Sequence, residues 1–356
     1  MSAEGSKLVA VVGGGASGPV YFSTDSGNTW SPFTNSPNYI WSAVAVSAGG
    51  GTIAAVSGSA ICSSTNWGQN WITNNISTAN FLCIATAAGG KQLVAAGRGG
   101  FGINSGPILI STNSGVSWKQ TTNISFAVWN SIATSADGTQ LVAVQGSKIF
   151  ASTNAGLQWR QLSGAPNLSM SNWRSIASSA DGKSLTAVAG GLGGSGIYIS
   201  HDAGATWISN SLPSTADWGA TTSSAGGAKL AIIGYNGWIY TSPDAGLTWI
   251  SNNVPNRIWQ SAAYSADGKK LAVAESNGGI WISQATPIPQ LICALSGNVL
   301  ALSWQVPSTK FALQQSEDLI FWSSKLDTPT LNLTNLNNEL TLSPSNSSGF
   351  FRLISQ

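Results

Sequence analysis

Short apolar segments alternate with glycine-rich and serine-rich turns along the first 283 residues of the chain. The clearest unit runs from Trp129 to Val144 and contains an apolar segment, an Ala-Asp-Gly turn and a second apolar segment. This pattern predicts two strands joined by a hairpin turn. A third short apolar segment follows, as in Ile197 to Ser200. Further copies of the unit begin at Trp41, Phe81, Trp173, Trp218 and Trp259.

A second phrase follows the third apolar segment and is clearest as Ser-Thr-Asp-Ser-Gly-Asn-Thr-Trp, ending at Trp30. Its six copies end at Trp30, Trp71, Trp118, Trp159, Trp207 and Trp249, at intervals of 41, 47, 41, 48 and 42 residues. A regular period of this size indicates a repeat architecture. With a fourth strand after each tryptophan, every period predicts the four strands of a β-propeller blade.

The phrase itself predicts a tight turn. Its third position holds an acid in three copies and an amide in three, and either side chain accepts hydrogen bonds from backbone N–H groups of a turn. The following glycine supplies a positive φ, and the tryptophan is expected to pack between neighbouring blades. These positions are Asp25, Asn66, Asn113, Asn154, Asp202 and Asp244, followed by Gly27, Gly68, Gly115, Gly156, Gly204 and Gly246.

The phrase resembles the Asp-box, or bacterial neuraminidase repeat, of sialidase-like propellers, and this resemblance implies a structural turn far from any catalytic centre. Residues 7–33 predict strands two to four of a first blade, and five complete blades follow. The last copy, Trp259 to Ser283, lacks the phrase. We therefore predict an all-β, seven-bladed propeller over residues 1–286. Because its first and last blades are incomplete, either ring closure is imperfect or a first strand was removed with a leader.

The repeat stops after Pro287 and Pro289, and residues 291–356 predict a small C-terminal β-sandwich. Its short apolar segments include Val299 to Trp304 and Phe350 to Ile354. This region resembles the C-terminal module of secreted proteins of Verrucomicrobia and Planctomycetes, which implies an extracellular or cell-envelope location. The first residues lack a signal-peptide pattern, so we expect the leader to be absent from this sequence.

The amino-acid composition limits the classes of partner that we expect. Only 8% of residues are charged, and 15 Lys and Arg against 13 Asp and Glu give a net charge of +2 without a basic cluster, which argues against nucleic acid. No apolar run reaches the roughly 20 residues that span a bilayer. The three cysteines, Cys62, Cys83 and Cys293, lack metal-ligand spacing and are expected to be small core residues. We predict neither a metal nor a cofactor.

Topology separates the candidate residues by face. In a blade of antiparallel strands, the links from strand four to strand one of the next blade lie on the same face as the links from strand two to strand three. The repeated phrase joins strand three to strand four and therefore lies on the opposite face. Six aromatics at the starts of inner strands are expected either to pack or to stack on a sugar. The candidate ligand-binding residues on this face come from two sets of loops. At or near the starts of the inner strands lie Trp173, Arg174, Asp217, Trp218, Arg257 and Trp259, and the links from strand two to strand three carry Arg98 and Tyr235, together with Asn236, Glu275 and Asn277.

Three functional alternatives remain. Sialidase activity implies three converging arginines, and Arg98, Arg174 and Arg257 are the only candidates, but the family's N-terminal motif is absent. Another glycoside hydrolase, or a polysaccharide lyase, would use Asp217 and Glu275 as its catalytic pair. The chain is also similar to propellers of the photosystem II assembly factor family, which implies a protein-binding scaffold. We favour a secreted, non-enzymatic, lectin-like protein that binds a glycan.

Overall fold

The computed structural model is built from β-strands in two compact units, residues 1–284 and 285–356. The structure describes residues 1–77, 79–99, 105–166, 168, 172–191, 196–210, 212, 217–235, 237–252, 254, 257–276, 278–284, 291–296, 299–305, 311–316, 323–324, 330–332, 337–342 and 350–355. None of these residues belongs to a helix long and apolar enough to cross a bilayer.

The first unit contains seven consecutive antiparallel sheets, which confirms the prediction of a seven-bladed propeller. Among the described residues, the first and last blades have three strands each and the other five have four, as the interrupted repeat predicts. The blades are, in order, β1 (Leu8–Val11), β2 (Val20–Ser23) and β3 (Ser31–Pro32); β4 (Ala43–Val46), β5 (Ile53–Ser57), β6 (Ala60–Ser64) and β7 (Ile72–Asn75); β8 (Ala79–Thr86), β9 (Leu93–Gly99), β10 (Ile108–Ser111) and β11 (Lys119–Gln120); β12 (Trp129–Thr134), β13 (Leu141–Gln145), β14 (Lys148–Ser152) and β15 (Arg160–Gln161); β16 (Asn172–Ser178), β17 (Leu185–Gly190), β18 (Gly196–Ser200) and β19 (Ile208–Asn210); β20 (Trp218–Ser223), β21 (Leu230–Gly234), β22 (Ile239–Ser242) and β23 (Ile250–Ser251); and β24 (Trp259–Tyr264), β25 (Lys270–Glu275) and β26 (Ile280–Gln284).

A closed circle of backbone hydrogen bonds joins the blades. In each blade, an alanine in the turn before the second strand of the repeat donates its N–H to the carbonyl of the equivalent alanine in the next blade, at 2.8–3.0 Å. Ala266 of the last blade donates to Ala3 of the first, so the seventh bond closes the ring. The circle comprises Ala3, Ala48, Ala88, Ala136, Ala180, Ala225 and Ala266.

The core consists of apolar layers between successive blades. Trp173, for example, packs against Val142 and Ile149 of the preceding blade and Ala187 of its own. Side-chain hydroxyls join neighbouring inner strands: Ser131 Oγ accepts from Ile176 N, and Ser175 Oγ from Thr221 N, both at 3.2 Å. Burial of the apolar strand faces stabilises this stack, while the hydroxyls satisfy backbone N–H groups at its centre.

The second unit forms two further antiparallel sheets within its described residues. The first sheet has the order β27, β28, β32, β31 and the second the order β30, β29, β33. Their bounds are β27 (Ile292–Ser296), β28 (Val299–Gln305), β29 (Phe311–Ser316), β30 (Ser323–Ser324), β31 (Thr330–Asn332), β32 (Asn337–Leu342) and β33 (Phe350–Ser355). Buried Leu302, Leu313 and Leu340 form one apolar cluster of this unit.

Candidate functional site

The repeated turns, which we define as the six segments ending at the tryptophans of the phrase, are structural hydrogen-bond networks. In the first, Asp25 accepts from Thr29 N at 2.9 Å and Thr29 Oγ1 at 2.6 Å, while Gly27 donates to Ser23 Oγ at 2.8 Å. The Thr29 hydroxyl is the main cause that lowers the pKa of Asp25 to about 2. All six predicted glycines have positive φ.

The repeated turns share a face with the Ala-Asp-Gly turns. Ser26 N donates to Ser6 O, Ala155 N to Thr139 O, and Ala245 N to Ala228 O, each within one blade, at 2.8–3.0 Å. The topological argument therefore holds, and the opposite face carries the candidate residues.

The six aromatics at the inner-strand starts pack, and they do not form the stacking ring that was the alternative expectation. Their exposed fractions are at most 3%, because each ring lies in the apolar layer between two blades. Trp218, for example, packs among Val188, Ile197 and Ile232. The hypothesis that Trp173, Trp218 and Trp259 stack on a ligand is corrected accordingly: their faces are covered by protein. The same holds for Trp41, Phe81 and Trp129.

Arg174, Asp217 and Tyr235 meet where blades 5 and 6 join, and we name this group the junction cluster. Arg174 Nη2 lies 3.9 Å from Asp217 Oδ1, which is an ion-pair distance but too long for a hydrogen bond. The Arg174 guanidinium lies 5.9 Å from the centre of the Tyr235 ring, within cation–π range. The side chains of Arg174 and Asp217 are 37% and 47% exposed. A charged donor, a charged acceptor and an aromatic ring thus stand together at the surface.

Local backbone features position the junction cluster. Strand β16 changes register between Trp173 and Ser175, so Arg174 occupies a β-bulge, a feature that redirects a side chain. Two glycines leave the space that the cluster fills. A Cβ on Gly190 would lie 2.5 Å from Asp217 Oδ1, and one on Gly219 would lie 2.8 Å from the Tyr235 ring. In addition, Tyr235 N donates to Asp217 O at 2.9 Å.

A second group, the Glu275 cluster, lies in blade 7. Glu275 Oε1 accepts from Arg257 Nη1 at 3.0 Å, and Glu275 Oε2 accepts from Trp281 Nε1 at 3.2 Å. The Glu275 side chain is only 9% exposed. Both carboxylate oxygens are therefore engaged within the protein.

The remaining predicted residues are more scattered. Arg98 is exposed on β9 in blade 3, two blades from Arg174, and the structure pairs Arg174 and Arg257 with separate carboxylates. Asn236 and Asn277 lie outside the described residues. Over the described part of the chain, no group of three or more His, Cys, Asp or Glu could hold a metal ion. Burial raises the pKa of the Cys83 thiol to about 12, which leaves it unreactive.

Two exposed aromatics, Trp238 and Trp281, are not among the residues predicted from the sequence. Trp238 is 37% exposed in the hairpin that also carries Tyr235, and its carbonyl accepts from Gly234 N. Trp281 is 41% exposed and packs edge-on against Trp259. In blades 5 and 6 the residues equivalent to Trp281 are Tyr198 and Tyr240. The signal was the incomplete last copy of the repeat: within the described residues blade 7 has no fourth strand, which leaves Trp281 uncovered.

No protein-family model and no curated protein matches this chain. Solved structures do resemble it. YCF48 bound to D1 peptide is 18% identical with a TM-score of 0.57, covering 77% of this chain and 88% of that one. The GH74 xyloglucanase from Xanthomonas campestris is 13% identical with a TM-score of 0.60, covering 84% and 59%. The β-propeller domain of Cps50 (Swd1) from Myceliophteria thermophila is 13% identical with a TM-score of 0.58, covering 80% and 96%. At these identities the likenesses show the propeller fold alone.

Proposed function

We propose that this chain is a non-enzymatic binding protein, and that it binds carbohydrate at the junction cluster. The observation that carries the proposal is the meeting of Arg174, Asp217 and Tyr235 at one partly exposed site between blades 5 and 6. Carbohydrate recognition uses polar groups that fix hydroxyls beside an aromatic face that covers C–H groups. Trp238, in the same hairpin as Tyr235, is a second aromatic with an exposed side chain. We also propose a secreted or cell-envelope location.

Hydrolysis or lyase chemistry is less well supported. The only predicted catalytic pair is Asp217 and Glu275, and a general acid or base needs an oxygen that can reach the substrate. Both oxygens of Glu275 are occupied by Arg257 and Trp281. The resemblance to a GH74 xyloglucanase keeps polysaccharide among the ligands to be tested.

Peptide is the second candidate ligand. One structural neighbour, YCF48, is bound to a D1 peptide, which shows that a propeller of similar fold takes a polypeptide partner. The arginine of the junction cluster suits a carboxylate as well as a hydroxyl.

The test is a glycan array followed by titration of any hit against Arg174→Ala/Tyr235→Ala. We expect binding about 10-fold to 100-fold weaker for the double variant, because a charge-assisted hydrogen bond and an aromatic contact are both lost. Arg160→Ala is the matched control, since Arg160 is an exposed arginine on the outer strand of blade 4. An array without hits counts against carbohydrate.

Catalysis is tested separately by measuring product release from polysaccharides. We expect none from the unmodified chain. Product release that is abolished in Asp217→Ala/Glu275→Ala would contradict the non-enzymatic proposal. Product release that survives the double substitution would contradict both that proposal and the predicted catalytic pair.

A further inference from the structure

A cavity of about 530 Å³ lies between the first and last blades. Its walls are β1, residues 260–263 of β24, residues 272–275 of β25, and Trp41 to Val44 at the inner strand of blade 2. It therefore occupies the place that an inner strand fills in each of the other six blades. Its volume falls in the range of ligand sites. Gly13, Gly14 and Gln260 on its rim are exposed, so solvent reaches it.

The wall formed by β1 is an open strand edge. Within the described residues, β1 pairs only with β2, whereas β5, β9, β13, β17, β21 and β25 pair on both sides. Lys7 O accepts from Ser2 N at 2.8 Å on the cavity side. Because successive residues of a strand direct their backbone groups to opposite sides, Val9 and Val11 present N–H and C=O groups to the cavity. An open edge of this kind is a template for another strand.

The other blades define the chemistry of the strand that fits. Their inner strands pair antiparallel with the second strand of the blade. The four residues before the turn alternate small and β-branched side chains in several copies, as in Ser-Ile-Ala-Thr of β12 and Ala-Val-Ala-Val of β4. In β4 the two kinds of side chain face opposite neighbours: Ala43 and Ala45 pack in the layer toward blade 3, and Val44 and Val46 pack in the layer toward blade 1.

We infer that this cavity binds an extended segment of a partner polypeptide, which adds to β1 as an antiparallel strand. The segment has small residues alternating with β-branched ones over at least four positions. This site is separate from the junction cluster, so either proposal can fail without the other.

The test uses the full chain and a fluorescein-labelled peptide, Val-Trp-Asn-Ser-Ile-Ala-Thr-Ser, which copies residues 128–135. Binding is followed by fluorescence anisotropy. We expect saturable binding that weakens at least about tenfold in Val9→Pro, because proline removes the N–H that faces the cavity without removing a bond to β2. Val9→Thr keeps the N–H and the shape of the side chain, and should bind as the unmodified chain does.

Three outcomes overturn the inference: no binding of the peptide, equal binding by Val9→Pro and the unmodified chain, or occupation of the edge by a second copy of this chain. The last would appear in sedimentation as a dimer that Val9→Pro abolishes. Circular dichroism of Val9→Pro establishes that its blades remain folded. A version of the peptide with proline in place of alanine is the matched ligand control and should not bind.

Discussion

Asp25, Asp202 and Asp244 do the same work in the repeated turns as Asn66, Asn113 and Asn154. Each places a side-chain oxygen 2.8–2.9 Å from the backbone N–H four residues later. The turn needs a hydrogen-bond acceptor rather than a charge, which explains why either an amide or an acid can occupy this position. Because aspartate titrates, the stability of the three acidic copies depends on pH, whereas that of the three amide copies does not.

Acid is therefore expected to destabilise the propeller through its aspartates. Hydroxyl donors hold the pKa of Asp25 and of Asp202 at about 2, below the unfolded value of about 3.9. A carboxyl group whose pKa is lower in the folded state than in the unfolded chain stabilises the fold at pH values above its unfolded pKa. This stabilisation is lost as the pH falls from about 4 to 2. Asp25→Asn/Asp202→Asn/Asp244→Asn should unfold at a denaturant concentration that changes less between pH 5 and pH 2 than in the unmodified chain.

Denaturant midpoints at several pH values measure this effect. Asp217→Asn, which changes a carboxylate outside the repeated turns, is the control. An identical pH dependence in the triple variant and the unmodified chain would contradict the assigned role of these carboxylates.

At the scale of the element, the inner strand of blade 5 divides its first side chains between packing and the surface. In β16, Trp173 is fully buried and the next residue, Arg174, sits at a bulge and reaches the surface. The sequence predicted both residues at the start of this strand. It could not predict the bulge, because the extra residue is visible only in the register with β17. The stacking ring failed as a hypothesis for another reason: aromatic residues at a repeated position are consistent both with packing and with binding, and the sequence does not distinguish the two.

Substitution distinguishes a tryptophan that packs between blades from one that contacts a ligand. We expect Trp259→Ala to lower the free energy of unfolding by about 3–5 kcal/mol, because it leaves a large cavity between blades 6 and 7. Trp281→Ala should cost less, since Trp281 is 41% exposed. Urea denaturation measures both. If Trp259→Ala kept its stability and lost ligand binding, the indole would be a ligand contact rather than a packing residue.

The strand β17 contributes to the site through an absent side chain. Gly190→Ala would place a Cβ 2.5 Å from Asp217 Oδ1 and displace that carboxylate. We expect glycan affinity to fall about tenfold with little loss of stability, as titration and thermal unfolding would show. Gly226→Ala is the matched control, because a Cβ there meets no atom within 4 Å. Equal affinities in the two variants would remove Asp217 from the proposed site.

At the scale of the whole molecule, the repeat was sufficient to predict the number of blades and the two incomplete ones. It left ring closure open, because closure depends on contacts between residues more than 240 positions apart. Lys270 Nζ donates to Ser26 Oγ at 2.6 Å and to Gly5 O at 3.4 Å, joining blade 7 to blade 1. With the bond from Ala266 N to Ala3 O, this contact closes one face of the ring. The cavity beside β1 lies between the same two blades, 7 and 1.

Loss of the Lys270 contact should destabilise the contact between blades 7 and 1 without affecting the other blades. In Lys270→Met, we expect the amide of Ala266 to exchange hydrogen faster, because its bond to Ala3 lies beside the lost contact. The amide of Ala136, on the far side of the ring, should be unaffected. Lys229→Met changes the equivalent lysine of blade 6 and is the control. Uniform acceleration around the ring in Lys270→Met would contradict a local role.

The proposed site also combines distant parts of the repeat. Arg174 and Asp217 come from neighbouring blades, and only the polarity of the strand links predicted that they share a face. The space for Asp217 depends on the glycine at 190 and the space for Tyr235 on the glycine at 219, and no sequence pattern reveals either effect. The exposure of Trp238 and Trp281 likewise depends on which strands cover them in the folded ring.

The central claim is that the junction cluster binds the ligand. The most direct measurement is a crystal structure of the full chain soaked with mixed oligosaccharides. We predict a sugar ring beside Tyr235, with hydroxyls within hydrogen-bond distance of Arg174 and Asp217. A sugar bound on the face of the repeated turns, or a junction cluster that stays empty while sugar is bound elsewhere, would contradict the claim.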